Sequence, residues 1–230
     1  MAQQRPPRRR RNTRESILRV ATDLFADGGY HEASIRAIAR RVGIKESSLY
    51  KHFKSKQHIL TEILEGFDAQ FWGGEAKQVS ITGMLDAAPP AAILSAGIEF
   101  FKERMRLPGM MKTWRILAME QYRNATAREL VKKTMVDRVL DFLRRLFAEM
   151  AARKLIKPLD PSVLALEYQN PLFHLMNEYC LRRLVGEDTV EVEEQMDTHA
   201  RFFWELVRSE SQDQRSTAGR GEGPGPFVAR

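Results

Sequence analysis

Residues 33–60 read ASIRAIARRVGIKESSLYKHFKSKQHIL, and this stretch decides the fold. Ser34 is placed to cap a short helix whose apolar face is Ile35, Ile38, Ala39 and Val42. Gly43 interrupts that helix, since glycine accepts the left-handed backbone at which helices stop. A second short helix is expected from about Lys45 to His52, with Leu49 and Phe53 turned inward. Ser55 then caps a longer helix that buries Ile59, Leu60, Ile63, Leu64 and Phe67. Two short helices joined by a tight turn containing glycine make a helix-turn-helix. In such a unit the second helix enters the major groove of DNA and the first crosses the backbone. Lys45, Glu46, Ser47 and Ser48 stand at the N-terminal end of that second helix, opposite Leu49 and Phe53. The pattern offers them to base edges.

Outward from this stretch the chain continues to read as helix. Upstream, Asn12 and Glu15 have capping-box spacing, Ile17, Leu18, Ala21, Leu24 and Phe25 form one face, and Gly28-Gly29 stops the helix. Residues 1–11 are a basic, proline-containing arm with nothing to bury, expected to be disordered. Downstream, residues 75–90 are expected to be a loop ending in Pro89-Pro90. Helices are expected over 91–105 and 110–123, and one long helix over 125–155. Asp160-Pro161 restarts the chain as cap and first helical position, with helices near 161–185 and 188–209. The glycine-rich tail 210–230 is expected to be disordered. No stretch reads as a strand, and the fold class is all-α.

Composition narrows the function classes. Residues 1–60 hold 14 Lys and Arg against 5 Asp and Glu, which leaves a balance of −2 for the rest of a chain whose net charge is +7. A basic block beside a near-neutral remainder points the first 60 residues toward a polyanion, or is no more than a solubilising surface. No run of 18 apolar residues is present, so no membrane partner is expected. The lone Cys180 cannot pair within the chain, and the absence of a signal sequence fits a cytoplasmic place. His31, His52, His58, His174 and His199 show no metal-ligand spacing, and GRGEGPG neither follows a strand nor opens a helix. No metal, cofactor or catalytic activity is expected.

The helix-turn-helix, with Gly43-Ile44, Ser48-Leu49-Tyr50-Lys51-His52-Phe53 and Ser55-Lys56, resembles the tetracycline-repressor (TetR) family of bacterial regulators. Phe25, Gly29-Tyr30, Ser34 and Ile38-Ala39 extend the resemblance over about residues 17–64. The resemblance implies a DNA-binding domain at 12–55 and a helical ligand-binding and dimerisation domain at 56–209. It implies that Ser34, Tyr50 and Lys56 contact phosphates, that His52 contacts the backbone or supports the recognition helix, and that Arg36 reaches a base or phosphate. Lys45, Glu46, Ser47 and Ser48 are its base readers. The sequence departs from the family at Lys45, which cannot cap a helix as serine does. Glu46 either accepts from cytosine N4 or simply pairs with Lys45, Lys51 or solvent.

For the second domain the resemblance implies that the last two helices pair with their copies in a homodimer. Leu164, Leu172, Leu175, Tyr179, Met196, His199, Phe203 and Leu206 are the expected interface. Phe101, Trp114, Tyr122, Phe142, Tyr168, Asn170, Phe173, His174 and Asn177 suit a pocket for a largely apolar or aromatic small molecule, and equally suit an ordinary helical core. The function expected is a repressor on a near-palindromic DNA operator, released by a small-molecule effector. A ligand-independent architectural or division-control protein of the same fold is the alternative.

Overall fold

The computed structural model describes residues 13–73 and 80–209. The arm 1–11, the Asn12 cap and the tail 210–230 lie outside the described residues. Eleven α-helices and one π turn make up the regular structure among those described. Their only extended pairing is a single bridge between Ile156 and Arg208. The all-α expectation therefore holds.

The described residues form two compact units, 13–73 with 104–135 and 80–103 with 136–209. The first contains α1 (Thr13–Gly28), α2 (Ile35–Val42), α3 (Glu46–Tyr50) and α4 (Lys56–Trp72). It also contains α7 (Met110–Glu120) and α8 (Ala125–Val131). The boundary expected at residues 55–56 thus falls inside this unit. Its core is apolar and fully enclosed: Ile17, Phe25, Ile38, Leu49, Phe53, Ile59, Leu60 and Leu64 have no exposed surface. Phe67 of α4 lies against Trp114 of α7, with ring centroids 6.3 Å apart.

The second unit holds α5 (Ile81–Ala87), α9 (Arg138–Ala152), α10 (Pro161–Val185) and α11 (Val190–Val207). Most of α6 (Pro90–Arg106) belongs to it as well. α5 corrects the loop expected over 75–90: Ser80 caps it by accepting from the Gly83 amide at 3.1 Å, a local bond that outweighs the short apolar pattern. A second difference is the π turn Lys132–Asp137 between α8 and α9, where one uninterrupted α-helix is expected from the sequence. Thr134, at its centre, is buried and donates to Asp68 at 2.7 Å.

Aromatic packing holds α9, α10 and α11 together. Tyr168 sits edge-on to Phe147 at 6.2 Å and to Phe203 at 5.1 Å. Its hydroxyl donates to the Leu94 carbonyl at 2.9 Å, and burial raises its pKa, so it remains a neutral donor. His199 Nε2 donates to the Tyr168 carbonyl at 3.0 Å. Lys102 of α6 is 5% exposed and lies 2.5 Å from Glu99 and 3.3 Å from Glu193 of α11. Burial alone would lower the Lys102 pKa, but the hydrogen bonds to both carboxylates outweigh it and the pKa is raised.

Cys180 is fully buried, and burial pushes its thiol up to about 12. A thiol in that environment is a packing group with almost no thiolate near neutrality. The native protein should therefore leave Ellman's reagent unreduced at pH 8, and one thiol per chain should react after denaturation. Rapid reaction of the native protein would contradict this burial.

Candidate nucleic-acid interface

The interface is built on three caps. Ser34 caps α2 by accepting from the Ala37 amide at 3.1 Å, which leaves its hydroxyl hydrogen free to donate outward. Gly43 ends α2 with φ +82°, its amide bonded to the Ala39 and Arg40 carbonyls. In that left-handed conformation a side chain would be strained. Lys45 stands at the N-cap of α3 and makes no side-chain cap bond, as its chemistry requires.

α3 has five residues, too few to hold a helix alone. Leu49 and Phe53, both 0% exposed, anchor it to the core. Arg14 lies 5.1 Å over the Phe53 ring, and His58 packs against that ring's edge at 5.6 Å. Lys45, Glu46, Ser47, Tyr50 and His52 are exposed as a result, with Tyr50 at 52%, and Ser48 is half-buried. Arg36 on α2 is exposed too. Glu46 forms no ion pair among the described residues and faces solvent. Arg40, one turn after Arg36 on the same helix face, and Lys51, after α3, are also exposed and unpaired among the described residues. Arg40 lies outside the quoted motif and Lys51 stands within it without an assigned role; the local excess of positive charge is what points to both.

Lys56 differs from its sequence reading. Its ammonium donates to the carbonyls of Tyr30 at 2.8 Å, His31 at 3.3 Å and Ala33 at 2.9 Å. An ammonium has three donors, and all three are used within the protein.

The expected pocket residues do not converge within either unit. Trp114 and Tyr122 fall in the first unit, where Trp114 packs on Phe67 and Tyr122 is 84% exposed. The other seven fall in the second. There Phe101 packs edge-on to Tyr179 at 5.8 Å, Tyr168 belongs to the aromatic core, and Phe142 and Asn177 are half-buried. Asn170, Phe173 and His174 are exposed. Periodicity identifies this polar stripe of α10 but not what it faces. Most of the expected dimer residues need a similar correction. Leu164, Leu172, Tyr179, Met196 and Phe203 are buried inside the single chain. His199 is tied to Tyr168, Leu175 is half-buried, and only Leu206 is exposed. α10 is apolar on both sides, and the side assigned to a partner is the one its own chain covers.

Residues 17–63 match the sequence profile described as "Bacterial regulatory proteins, tetR family". Over this stretch the chain is similar to the tetR family. Among curated relatives, an 86-residue stretch is 34% identical to the HTH-type transcriptional repressor KstR2 of Rhodococcus jostii. That stretch spans 37% of this chain and 42% of that repressor, so the sequence likeness covers less than half of either. A transcriptional regulator from Saccharomonospora viridis, solved in complex with choline, superposes with TM-score 0.58 at 22% identity over 85% of this chain and 97% of that one. SmeT, solved with triclosan, superposes with TM-score 0.59 at 19% identity over 94% and 99% of the two chains. At these identities the structural likeness is one of fold alone.

Proposed function

We propose that the protein is a homodimeric transcriptional repressor that binds a near-palindromic DNA operator through α2 and α3 and leaves it when a small-molecule effector binds. The observation that carries the DNA-binding part is the short α3, held down by Leu49 and Phe53 with Lys45, Glu46, Ser47 and Tyr50 exposed and unengaged. Ser34, Arg36, Tyr50 and His52 are the proposed backbone and base contacts, with Ser47 and Ser48 reading bases. Residues 12–55 carry DNA recognition and 56–209 dimerisation and effector binding. The protein then resides with the bacterial nucleoid.

The homodimer is supported by an uncovered apolar stripe. Val163, Leu166, Phe173 and Leu181 on α10, and Phe202 and Leu206 on α11, are 37–61% exposed. They recur at helical spacing, interspersed on α10 with the exposed Asn170 and His174, and exposed apolar side chains on two adjacent helices suit an interface. This stripe replaces the inward set expected from sequence. The effector is supported by the fold neighbours solved with choline and triclosan. A largely apolar or aromatic molecule is the proposed class for this chain.

Footprinting on a duplex selected from random sequence is the test. Two protected half-sites should appear, separated by about one or more turns of roughly 34 Å. Replacing Ser47 or Ser48 should change the selected bases. A single unpaired site, or no selection, would overturn the proposal. Release by apolar aromatic compounds separates a repressor from the architectural alternative, which nothing small should displace.

A further inference from the structure

The turn between α1 and α2 ends at Ser34, so its conformation sets where the α2 cap and Arg36 stand. This turn is tied down from α4 by a built polar cluster. Lys56 Nζ accepts no bond and gives three, to the carbonyls of residues 30, 31 and 33, the last of them next to Ser34. The same ammonium lies 4.3 Å over the Tyr30 ring. Tyr30 packs edge-on to Phe25 and His31, each at 5.3 Å, and its hydroxyl donates to Gln57 Oε1 at 3.2 Å. Asn124, the cap of α8, donates to the same oxygen at 3.1 Å. Burial, and secondarily the Glu120 carboxylate, raises the Tyr30 pKa and keeps that hydroxyl a donor.

We infer that Lys56 is a positioning residue for DNA binding, stapling the α1–α2 turn so that Ser34 and Arg36 meet the duplex, and that it is not itself a phosphate contact. This inference rests on the DNA-binding reading above. A compact ammonium suits the task because three carbonyls converge on one point, whereas a phosphate contact would need a donor pointing outward.

The two roles differ in salt dependence. A lysine that neutralises one phosphate contributes about 0.9 to the slope of log affinity against log salt, and a positioning residue contributes nothing. The experiment measures Kd against KCl concentration for the full chain on its selected duplex, with wild type, Lys56→Met, Ser34→Ala and the double variant. Lys56→Met should weaken binding by roughly tenfold or more, the worth of a charge-assisted hydrogen bond, with the slope unchanged. Ser34→Ala should then cost less in the Lys56→Met background than alone, because coupled residues are not additive. A slope lower by about one unit with additive losses would overturn the inference, as would unchanged affinity. Where Lys56→Met does not fold, Lys56→Arg decides. It keeps the charge but spreads its donors over a planar fork, so a staple weakens and a phosphate contact does not. Wild type that selects no duplex defeats the DNA-binding reading itself, which none of the variant outcomes does.

Discussion

Phe203→Asp will leave the second unit unfolded, whereas Phe202→Asp, one residue earlier, will leave it folded and convert the proposed dimer to monomer. Phe203 is 6% exposed and packs on Phe147 at 5.6 Å and on Tyr168 at 5.1 Å. Emptying such a site costs about 3–5 kcal/mol, before the penalty for an unpaired buried carboxylate. That approaches the whole stability of an ordinary domain, about 5–15 kcal/mol. Phe202 is 61% exposed, roughly 100° around the same helix from the buried Phe203. A charge there changes the stability of the isolated chain by only about 0.5 kcal/mol, but it must be desolvated if the outward face meets its copy. Circular dichroism and sedimentation velocity separate the two variants. A Phe203→Asp chain that melts like wild type would contradict the described core. A Phe202→Asp chain that sediments as a dimer would remove this face of α11 from the interface.

The second large effect is expected at Phe53. Phe53→Ala removes a ring with no exposed surface, contacted by Arg14 and His58, at a cost of about 3–5 kcal/mol. α3 begins at Glu46, three residues after Gly43, and Leu49 is its other fully buried anchor. The loss therefore falls first on the recognition helix. DNA binding should fall by two orders of magnitude or more, since about 2.8 kcal/mol is a hundredfold. Far-ultraviolet ellipticity should fall only slightly, because most of the helix lies elsewhere. Hydrogen exchange would locate the loss at residues 44–54. Retained affinity would show that α3 keeps its place without this anchor and would count against the proposed reading surface.

The helix-turn-helix was legible in sequence because its determinants are local. Ser34, Gly43 and Ser55 act through bonds within three or four residues, and α2 begins after Ser34 and ends at Gly43 while α4 begins after Ser55. The inward positions Ile38, Leu49, Phe53, Ile59 and Leu60 follow from periodicity, since a short helix with one apolar face has only one way to bury it. The short α5 was less legible, because seven residues with weak patterning depend on one cap.

Tertiary structure decided the rest. Lys56 follows a serine cap in sequence whether it meets a phosphate or three carbonyls. Only the return of the α1–α2 turn beside α4 brings residues 30, 31 and 33 to its ammonium. α10 is the clearest case. Leu164, Tyr168, Leu172 and Tyr179 form one apolar face and Val163, Leu166, Phe173 and Leu181 another, and periodicity gives both equal claim to a partner. The packing of α9 and α11 covers the first within the chain and leaves the second bare. A period of 3.6 residues tells which residues share a face, but which face is covered depends on elements distant in sequence.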